Sequence, residues 1–202
     1  MKQVVLATRN AGKIAELKSL LAGFGLDVLG LSAFPEIGDI PETGSTFSEN
    51  AAIKARAVAQ ATGLVALADD SGLEVDALSG APGVYSARYS GEDATDASNN
   101  AKLLDALKDV PEAGRGCRFV SVVFAAAPNG AEAEARGEWQ GRVLPAPRGA
   151  GGFGYDPLFY DAEKGATAAE MTREDKNARS HRGKALRTLL STWPEFWARA
   201  DR

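Results

Sequence analysis

The 202-residue sequence contains few of the residues from which zinc sites and disulfides are built. It has one cysteine and one histidine. An intrachain disulfide is therefore impossible, and a zinc site made of several His and Cys ligands has no support. The GxSxG motif that would support a serine hydrolase is also absent. Cys117 lies in an apolar run, and we interpret it as a core residue of a protein from a reducing compartment.

The sequence also lacks a long apolar segment and an excess of positive charge. Its longest apolar run, 122–128, is too short to span a bilayer, and the N-terminal residues lack the apolar stretch of a signal peptide. The formal net charge of −4 disfavours binding along a nucleic-acid backbone. We predict a cytoplasmic protein that binds neither nucleic acid nor membrane, although a few converging cations could still bind a phosphorylated small molecule.

Hydrophobic patterning predicts a mixed α/β protein with a single domain over residues 1–202. Strands and helices alternate early in the chain, and a long hairpin with an Asn129-Gly130 turn follows. The third strand is predicted to stop at Asp69. The predicted strands are 3–7, 26–31, 64–68 and 119–127, and a further strand follows the Asn129-Gly130 turn. The predicted helices begin after Asn10, at Thr46, at Thr95 or Asp96, and near Ser180.

The first candidate site lies between the first strand and the first helix. Unpaired N–H groups at a helix N-terminus bind phosphate well, and Lys13 would add a full charge. The segment is not a Walker A loop, because GxxxxGK[ST] is absent. The alternative is an ordinary turn in which Asn10 caps the helix and Lys13 is solvated. The candidate residues are Thr8, Arg9, Asn10, Ala11, Gly12 and Lys13.

The second candidate is a set of carboxylates. Asp69 and Asp70 follow an apolar strand, where α/β folds tend to bind ligands. Successive strand residues point to opposite faces, so one can meet a substrate while the other ties down the chain. Glu42, in the preceding loop, could join these carboxylates. Carboxylates that converge near a phosphate usually indicate a bound Mg²⁺. The alternative is a plain turn at Asp69-Asp70, and we assign Glu49 to helix capping.

A helical pair and two later segments complete the set of candidates. Asn50 and Lys54 lie four residues apart on one predicted helix face, which could equally be a solvated face. In the glycine-rich segment 151–157, Phe153 or Tyr155 could stack on a base and Asp156 could accept from ring N–H groups; the alternative is that the aromatics fill the core. Near the last helix, donors that suit a 6-oxo purine predominate, and the lone histidine receives a binding role. These donors are Lys176, Ser180, His181 and Arg182.

Taken together, these segments resemble the inosine/xanthosine triphosphate pyrophosphatases, which remove non-standard purine nucleotides. The segments run in order and span nearly the whole chain, and their combination is specific although no single one is. The matching segments are 8–13, 42–51, 68–73, 80–88, 151–157 and 180–182.

The resemblance implies a fold, a reaction and roles for residues. The implied fold is mixed α/β, with an elongated central sheet and flanking helices that form two lobes around a cleft. The implied reaction is Mg²⁺-dependent hydrolysis of ITP, dITP and XTP to the monophosphate and pyrophosphate, by a homodimer. Asp70 would be the proton acceptor and a metal ligand, with Glu42 as a second ligand. Phosphate would be held by residues 8–13 and Lys54, and the nucleotide by Ser71, Phe153, Gly154, Tyr155, Asp156, Lys176, His181 and Arg182.

Two rival functions follow from the same residues. A related pyrophosphatase for modified pyrimidines would keep the phosphate chemistry but not the donors at 180–182. A non-catalytic nucleotide sensor would lack a carboxylate such as Asp70. Donors facing the purine 6-position would reject ATP, whose amino group leaves them unpaired. GTP also carries a 6-oxo group, so its rejection must depend on pocket shape, and the order of preference among ITP, dITP and XTP is not predicted.

Overall fold

The computed structural model describes residues 2–201 and confirms the mixed α/β class. Within these residues, seven strands form one sheet in the order β2-β1-β3-β4-β5-β6-β7. Strand β1 pairs in parallel with β2 and β3, whereas β6 pairs antiparallel with β5 and β7. The strands are β1 Lys2–Leu6, β2 Leu26–Gly30, β3 Val65–Val75, β4 Gly116–Ala126, β5 Glu132–Val143, β6 Phe159–Asp161 and β7 Ala166–Thr167. The helices are α1 Ala11–Leu21, α2 Phe47–Thr62, α3 Asp96–Ala106, α4 Arg173–Arg179, α5 His181–Ser191 and α6 Trp193–Ala200.

The described chain divides into two compact units. Unit 1 comprises residues 2–70, 121–137 and 182–201, and unit 2 comprises 71–120 and 138–181. The single domain over 1–202 stays a prediction. None of the helices in residues 2–201 is long and apolar enough to cross a bilayer.

The core of unit 1 forms where helices cover the first strands. Val4 and Leu6 of β1 are fully buried, and Leu17 and Leu21 of α1 join the same cluster at helical spacing. The helical spacing of Leu17, Leu21 and Phe24 predicts that this apolar face continues to Phe24. The prediction is wrong: Phe24 is 49% exposed, because α1 ends at Leu21 and the chain turns before it reaches Phe24. The cluster is completed by Leu186, Leu189, Trp193 and Phe196 of α5 and α6.

Helix α2 begins and ends where its sequence predicts. Thr46 and Glu49 form both hydrogen bonds of a capping box, which confirms the capping role of Glu49. At the other end, Gly63 adopts a left-handed conformation with φ of 68°, which a residue with a side chain would adopt only with strain. Asn50 and Lys54 therefore lie on a helix whose two ends are fixed by local hydrogen bonds.

Strand β3 is longer than predicted. The turn-forming residues Asp69 to Gly72 were expected to end it, but the strand continues to Val75. Pairing of β3 with β1 ends at Leu67, but β3 also adjoins β4 in the sheet, and pairing with β4 overrides the local turn preference. The two aspartates are consequently held in a regular strand and not in a loop.

Unit 2 has its own core, centred on aromatic side chains. Phe119 and Phe159 lie 4.5 Å apart between ring centroids, and Trp139 lies 4.6 Å from Phe159. Leu103 of α3 is fully buried here, one position before the predicted Leu104. Cys117 is buried in the same cluster, as expected. Strands β6 and β7 and helix α4 were not predicted, because each is short and lacks a clear periodic pattern.

Candidate active site

The segment before α1 has the helix cap of the plainer alternative, but its lysine is not solvated as that alternative requires. Asn10 is the helix cap, since its Oδ1 accepts from the Lys13 backbone N–H at 3.0 Å. The Thr8 hydroxyl accepts from the Asn10 N–H at 3.2 Å. Lys13 is not solvated, because its side chain is only 15% exposed and its Nζ lies 2.8 Å from Asp69 Oδ2. Arg9 is exposed and donates to the Ile37 carbonyl.

The Lys54 ammonium bridges two carboxylates. Its Nζ lies 2.7 Å from Asp70 Oδ1 and 2.9 Å from Glu42 Oε1. Asn50, one turn earlier on α2, donates to Asp70 Oδ2 at 3.5 Å. The shared helix face predicted for Asn50 and Lys54 thus meets β3 and is not a solvated face.

Lys13 and Lys54 approach the same backbone atom from two different helices. Each donates to the Asp69 carbonyl oxygen at 3.2 Å. The phosphate-loop lysine and the Asp70-bound lysine therefore lie within hydrogen-bonding distance of one point on β3. This juxtaposition is what a polyphosphate-binding site requires.

Burial and ion pairing set the protonation of Asp70 and Lys54. Burial raises the pKa of the Asp70 carboxyl, and the neighbouring Lys54 and Lys13 ammonium groups only partly offset it. For Lys54, burial alone would lower the pKa, but Asp70 and Glu42 together outweigh burial and raise it. The result is a protonated lysine beside a carboxylate that is more basic than an exposed aspartate.

Asp69 lies at the centre of a second, fully buried network. Besides Lys13, its Oδ2 accepts from Arg182 Nη2 at 3.1 Å, and its Oδ1 accepts from the Ser121 hydroxyl at 2.5 Å. Arg182 is also paired with Glu16 of α1. Burial opposes ionisation of Asp69, but Arg182 and Lys13 outweigh it and hold the pKa well below its usual range.

Glu42 and Asp70 are a suitable donor set for Mg²⁺. Both carboxylates already converge on a single cation, the Lys54 ammonium. Mg²⁺ commonly takes one or two protein carboxylates and completes its shell with water and phosphate oxygens. Among residues 2–201, no three His, Cys, Asp or Glu residues are grouped so that they could hold a metal ion. The two carboxylates match the one or two protein ligands that Mg²⁺ commonly takes.

The glycine-rich segment of unit 2 is organised around Asp156. This buried carboxylate accepts from the Phe153 backbone N–H at 2.9 Å and pairs with Lys176 Nζ at 2.5 Å. The same ammonium lies 4.9 Å from the centroid of the Phe153 ring. A Cβ on Gly152 would lie 2.0 Å from Asp156 Oδ2, and its φ is +72°, so only glycine allows this close approach.

The other predicted nucleotide contacts of unit 2 differ in their surroundings. Tyr155 belongs to the core, where its hydroxyl donates to the Ser86 carbonyl at 2.9 Å; Phe153 is the half-buried ring of the pair. The ring of His181 stacks on Phe119 at 4.7 Å. The Gly154 N–H donates to Asp96 at 2.7 Å, and Ser71 is partly buried directly after Asp70.

The structure therefore brings the predicted residues together in two sets. Within unit 1, Lys13, Glu42, Lys54 and Asp70 form connected contacts, and Arg182 joins them through Asp69. Within unit 2, Phe153, Asp156 and Lys176 form the second set. The sequence analysis did not single out Glu16 and Ser121. A usable signal was Ser121 itself, a lone polar residue inside the apolar run of β4.

Comparison with known proteins gives consistent matches over almost the whole chain. Residues 4–192 match the model of the Ham1 family. The chain is 60% identical over 200 residues to a dITP/XTP pyrophosphatase of Nitratidesulfovibrio vulgaris, covering 96% of this chain and 97% of the relative. It is 54% identical over 192 residues to a dITP/XTP pyrophosphatase of Escherichia coli K12, with 94% and 97% covered.

Solved structures agree with the sequence relatives. A HAM1 protein from Coxiella burnetii is 46% identical and superposes with a TM-score of 0.87, covering 96% of this chain and all of the other. A Mycobacterium abscessus protein described as a nucleoside-triphosphatase or dITP/XTP pyrophosphatase is 47% identical, with a TM-score of 0.75 and coverage of 93% and 98%. The fold is thus that of these proteins.

Proposed function

The chain belongs to the Ham1 family, and from that premise we propose that it hydrolyses ITP, dITP and XTP to the nucleoside monophosphate and pyrophosphate. Relatives that are more than half identical over nearly their full length are dITP/XTP pyrophosphatases. One observation in this chain carries the proposal: Lys13 and Lys54 meet at the Asp69 carbonyl, next to the Asp70 carboxylate. Removal of these nucleotides from the pool is the corresponding biological role.

The two lysines supply charge for the triphosphate. A triphosphate repels an attacking water through its several negative charges, so neutralising that charge is the main task of enzymes that cleave phosphoanhydrides. Lys13 and Lys54 are both largely buried and aimed at one point, which makes their charges more effective than solvated ones. The start of α1 adds the backbone N–H groups of residues 11 and 12, since the N–H of Lys13 is bound by the Asn10 side chain.

Asp70 is the proton acceptor in this proposal. Burial raises its pKa, which makes it a better base, and its ion pair with Lys54 keeps it ionised. It takes the proton of the attacking water while the bond between the α-phosphorus and the bridging oxygen breaks. Pyrophosphate then leaves directly, and no covalent intermediate is needed.

Mg²⁺ would be held by Asp70 and Glu42. When bound, the ion neutralises and orients the phosphate oxygens. The two carboxylates face a single cation already, so their geometry suits one divalent ion shared with the substrate. Lys54 is positioned by the same two carboxylates.

Residues of unit 2 would recognise the base. Phe153 offers a ring for stacking, and Lys176 and His181 are donors suited to the 6-oxo group of hypoxanthine or xanthine. Asp156 fixes Lys176 by a buried ion pair, so the donor is oriented before the base arrives. An adenine amino group would leave such donors unpaired, at about 1–3 kcal/mol for each buried group.

Assembly and location follow from the same proposal. We propose a homodimer, as the family resemblance implies. Hydrolysis of free nucleoside triphosphates implies a cytoplasmic location, where these nucleotides are made and consumed. No nucleic acid or membrane is needed for the reaction, and the negative net charge agrees with a small-molecule substrate.

A substrate panel tests the proposed function. The purified protein is incubated with ITP, XTP, ATP or dUTP, with and without Mg²⁺, and pyrophosphate and orthophosphate are quantified separately. We expect equimolar IMP and pyrophosphate from ITP, and kcat/KM about a hundredfold higher for ITP than for ATP, equivalent to two unpaired donors. Release of orthophosphate with IDP would refute the cleavage position, and equal turnover of ATP would refute the base contacts. Turnover of dUTP alone would indicate a pyrimidine enzyme.

A further inference from the structure

Helix α3 binds the glycine-rich segment 151–157 through one backbone position. The Gly154 N–H donates to Asp96 Oδ2 at 2.7 Å, and the Gly154 carbonyl oxygen accepts from Asn100 Nδ2 at 3.0 Å. Asp96 and Asn100 lie four residues apart on α3, so their side chains share one face of the helix. Both polar backbone groups of Gly154 are therefore bound by one helix face.

Gly154 lies in a segment whose backbone is flexible by composition. Two glycines, Gly151 and Gly152, precede it closely, and Gly154 itself adopts a left-handed conformation with φ of 62°. Glycine loses more conformational freedom on folding than any other residue, and Gly154 has no side chain to pack. Its orientation therefore depends on the hydrogen bonds that its backbone makes with Asp96 and Asn100.

These hydrogen bonds also fix the backbone that carries the Phe153 ring. On the N-terminal side of the Phe153 Cα, the Phe153 N–H donates to Asp156 Oδ2 at 2.9 Å. On the C-terminal side, the peptide that joins Phe153 to Gly154 donates to Asp96. One side is thus held from within the glycine-rich segment, and the other is held by α3.

Helix α3 is itself firmly attached to unit 2. Its N-terminus is closed by the capping box of Thr95, and Leu103 is fully buried in the core. Asn99, which is 4% exposed, accepts from the Ser90 N–H at 2.7 Å and donates to the Ala87 carbonyl at 3.1 Å. The helix is therefore a rigid support for the glycine-rich segment.

We propose that Asp96 and Asn100 are positioning residues for base recognition: by binding both polar groups of Gly154, they hold the Phe153 ring in the orientation in which it stacks on the purine. This inference rests on the proposed function, in which Phe153 stacks on the base. A ring that is oriented before the nucleotide arrives loses less freedom on binding. The two residues consequently act on nucleotide affinity and not on the hydrolytic step.

The variants Asn100→Leu and Asp96→Ala test the proposal. Each removes one hydrogen bond to Gly154, and we expect the Kd for α,β-methylene-ITP, measured by calorimetry, to rise about fivefold. This analogue keeps the base but resists cleavage at the α-phosphate. The Kd for Mg²⁺-tripolyphosphate, which has no base, and kcat for ITP should both remain parental. An equal loss of affinity for tripolyphosphate would overturn the proposal, because it would indicate a general disturbance of the fold.

Two control variants separate hydrogen bonding from charge and from the stability of α3. Asp96→Asn keeps an acceptor for the Gly154 N–H and should retain the parental Kd; if it behaves like Asp96→Ala, the charge at the helix N-terminus is responsible and the proposal is wrong. Lys102→Met removes a bond from the same helix to the Tyr89 carbonyl, at 2.6 Å, and should leave the Kd unchanged. Asp96 is exposed, so its variants remove no core packing if Asn100→Leu does not fold.

Removal of the stacking ring gives the decisive measurement. In a Phe153→Leu background, Asp96→Ala should raise the Kd for α,β-methylene-ITP no further. An equal rise with and without the ring would show that Asp96 does not act through Phe153.

Failure of this proposal and failure of the proposed function give different results. If the parent cleaves ITP and every variant binds the analogue with the parental Kd, the positioning role alone is refuted. If the analogue is bound in an Asp96-dependent way but the parent releases no pyrophosphate from ITP, the proposed reaction alone is refuted.

Discussion

The two faces of β3 shift the pKa values of two neighbouring aspartates in opposite directions. Asp69 and Asp70 are consecutive in the strand, so their side chains point to opposite faces. On one face the pKa of Asp69 is held well below its usual range, and on the other the pKa of Asp70 is raised. Burial is the largest influence on both carboxyls and raises both pKa values.

The number of cations on each face decides the outcome. Asp69 pairs with Arg182 and Lys13 and receives a hydrogen bond from Ser121. Asp70 is bonded to one cation, Lys54, and shares it with Glu42. Two paired cations keep the Asp69 carboxylate ionised, which suits a structural role. Asp70 shares its bonded cation with Glu42, so its carboxylate stays more basic and can act as a proton acceptor.

The largest expected effect is the loss of catalytic rate when Asp70 is replaced. Asp70→Asn keeps the shape of the side chain but removes the proton acceptor, so we expect kcat for ITP to fall by about 10²–10⁴-fold. Because the folded-state pKa of Asp70 is raised, the ionised side chain lowers stability as pH rises through that pKa. The same change removes one of the two carboxylates of the buried Lys54 ammonium but leaves Glu42, so the free energy of unfolding at pH 7, measured with EDTA present, should fall by less than in Asp69→Asn. A variant with parental kcat would remove Asp70 from the mechanism.

The second-largest expected effect is a loss of folding stability when Asp69 is replaced. Asp69→Asn leaves Arg182 and Lys13 without their shared buried carboxylate, and we expect the free energy of unfolding at pH 7 to fall by about 3–5 kcal/mol. Since the folded-state pKa is depressed, this contribution is present above the ordinary value of 3.8 and is lost as pH falls below it. The difference between parent and variant in urea unfolding should therefore shrink below about pH 4.

An exposed ion pair provides the matched control for that measurement. Asp201 lies 2.6 Å from Lys2, and both side chains are about half exposed. Asp201→Asn should change the free energy of unfolding by less than about 0.5 kcal/mol. Equal effects of the two substitutions would contradict the role assigned to the buried network.

Local sequence signals predicted the helix termini near these side chains, but not the distant residues with which the side chains pair. The Asn10 cap, the Thr46 capping box and the Gly63 terminus depend on residues within four positions, and each lies as expected. Strand β3 was cut short because Asp69 to Gly72 favour a turn locally. Pairing with β4, which lies far away in sequence, keeps them in a strand.

The candidate site follows the same division. Asp70, Lys54 and Lys13 stood out because each belongs to a short recognisable segment. Glu16 and Arg182 are separated by 166 positions, and no local pattern relates an acid on α1 to a base on α5. Tyr155 was grouped with Phe153 because the two are close in sequence, although Tyr155 belongs to the core of unit 2.

The smallest expected effect concerns unit 2, where Asp161 is another buried aspartate. It accepts from Arg179 Nε at 2.8 Å and from Trp139 Nε1 at 3.0 Å. Burial opposes its ionisation, but these bonds outweigh burial and lower the pKa to about 2. By the rule drawn from β3, this carboxylate should serve structure alone. Asp161→Asn should therefore leave kcat for ITP unchanged and reduce the free energy of unfolding by about 1–2 kcal/mol at pH 7, after allowance for the partly solvated Arg179.

The pH dependence of the Asp161 variant gives the sharper test. Because the folded-state pKa is lower than the ordinary 3.8, the contribution is complete above about pH 4 and disappears as pH falls toward 2. Urea unfolding of parent and variant at pH 7 and at about pH 2.5 should show the difference narrowing at the lower value. A variant that loses kcat while keeping parental stability would break the rule, since a depressed pKa would then no longer separate structural carboxylates from reactive ones in this protein.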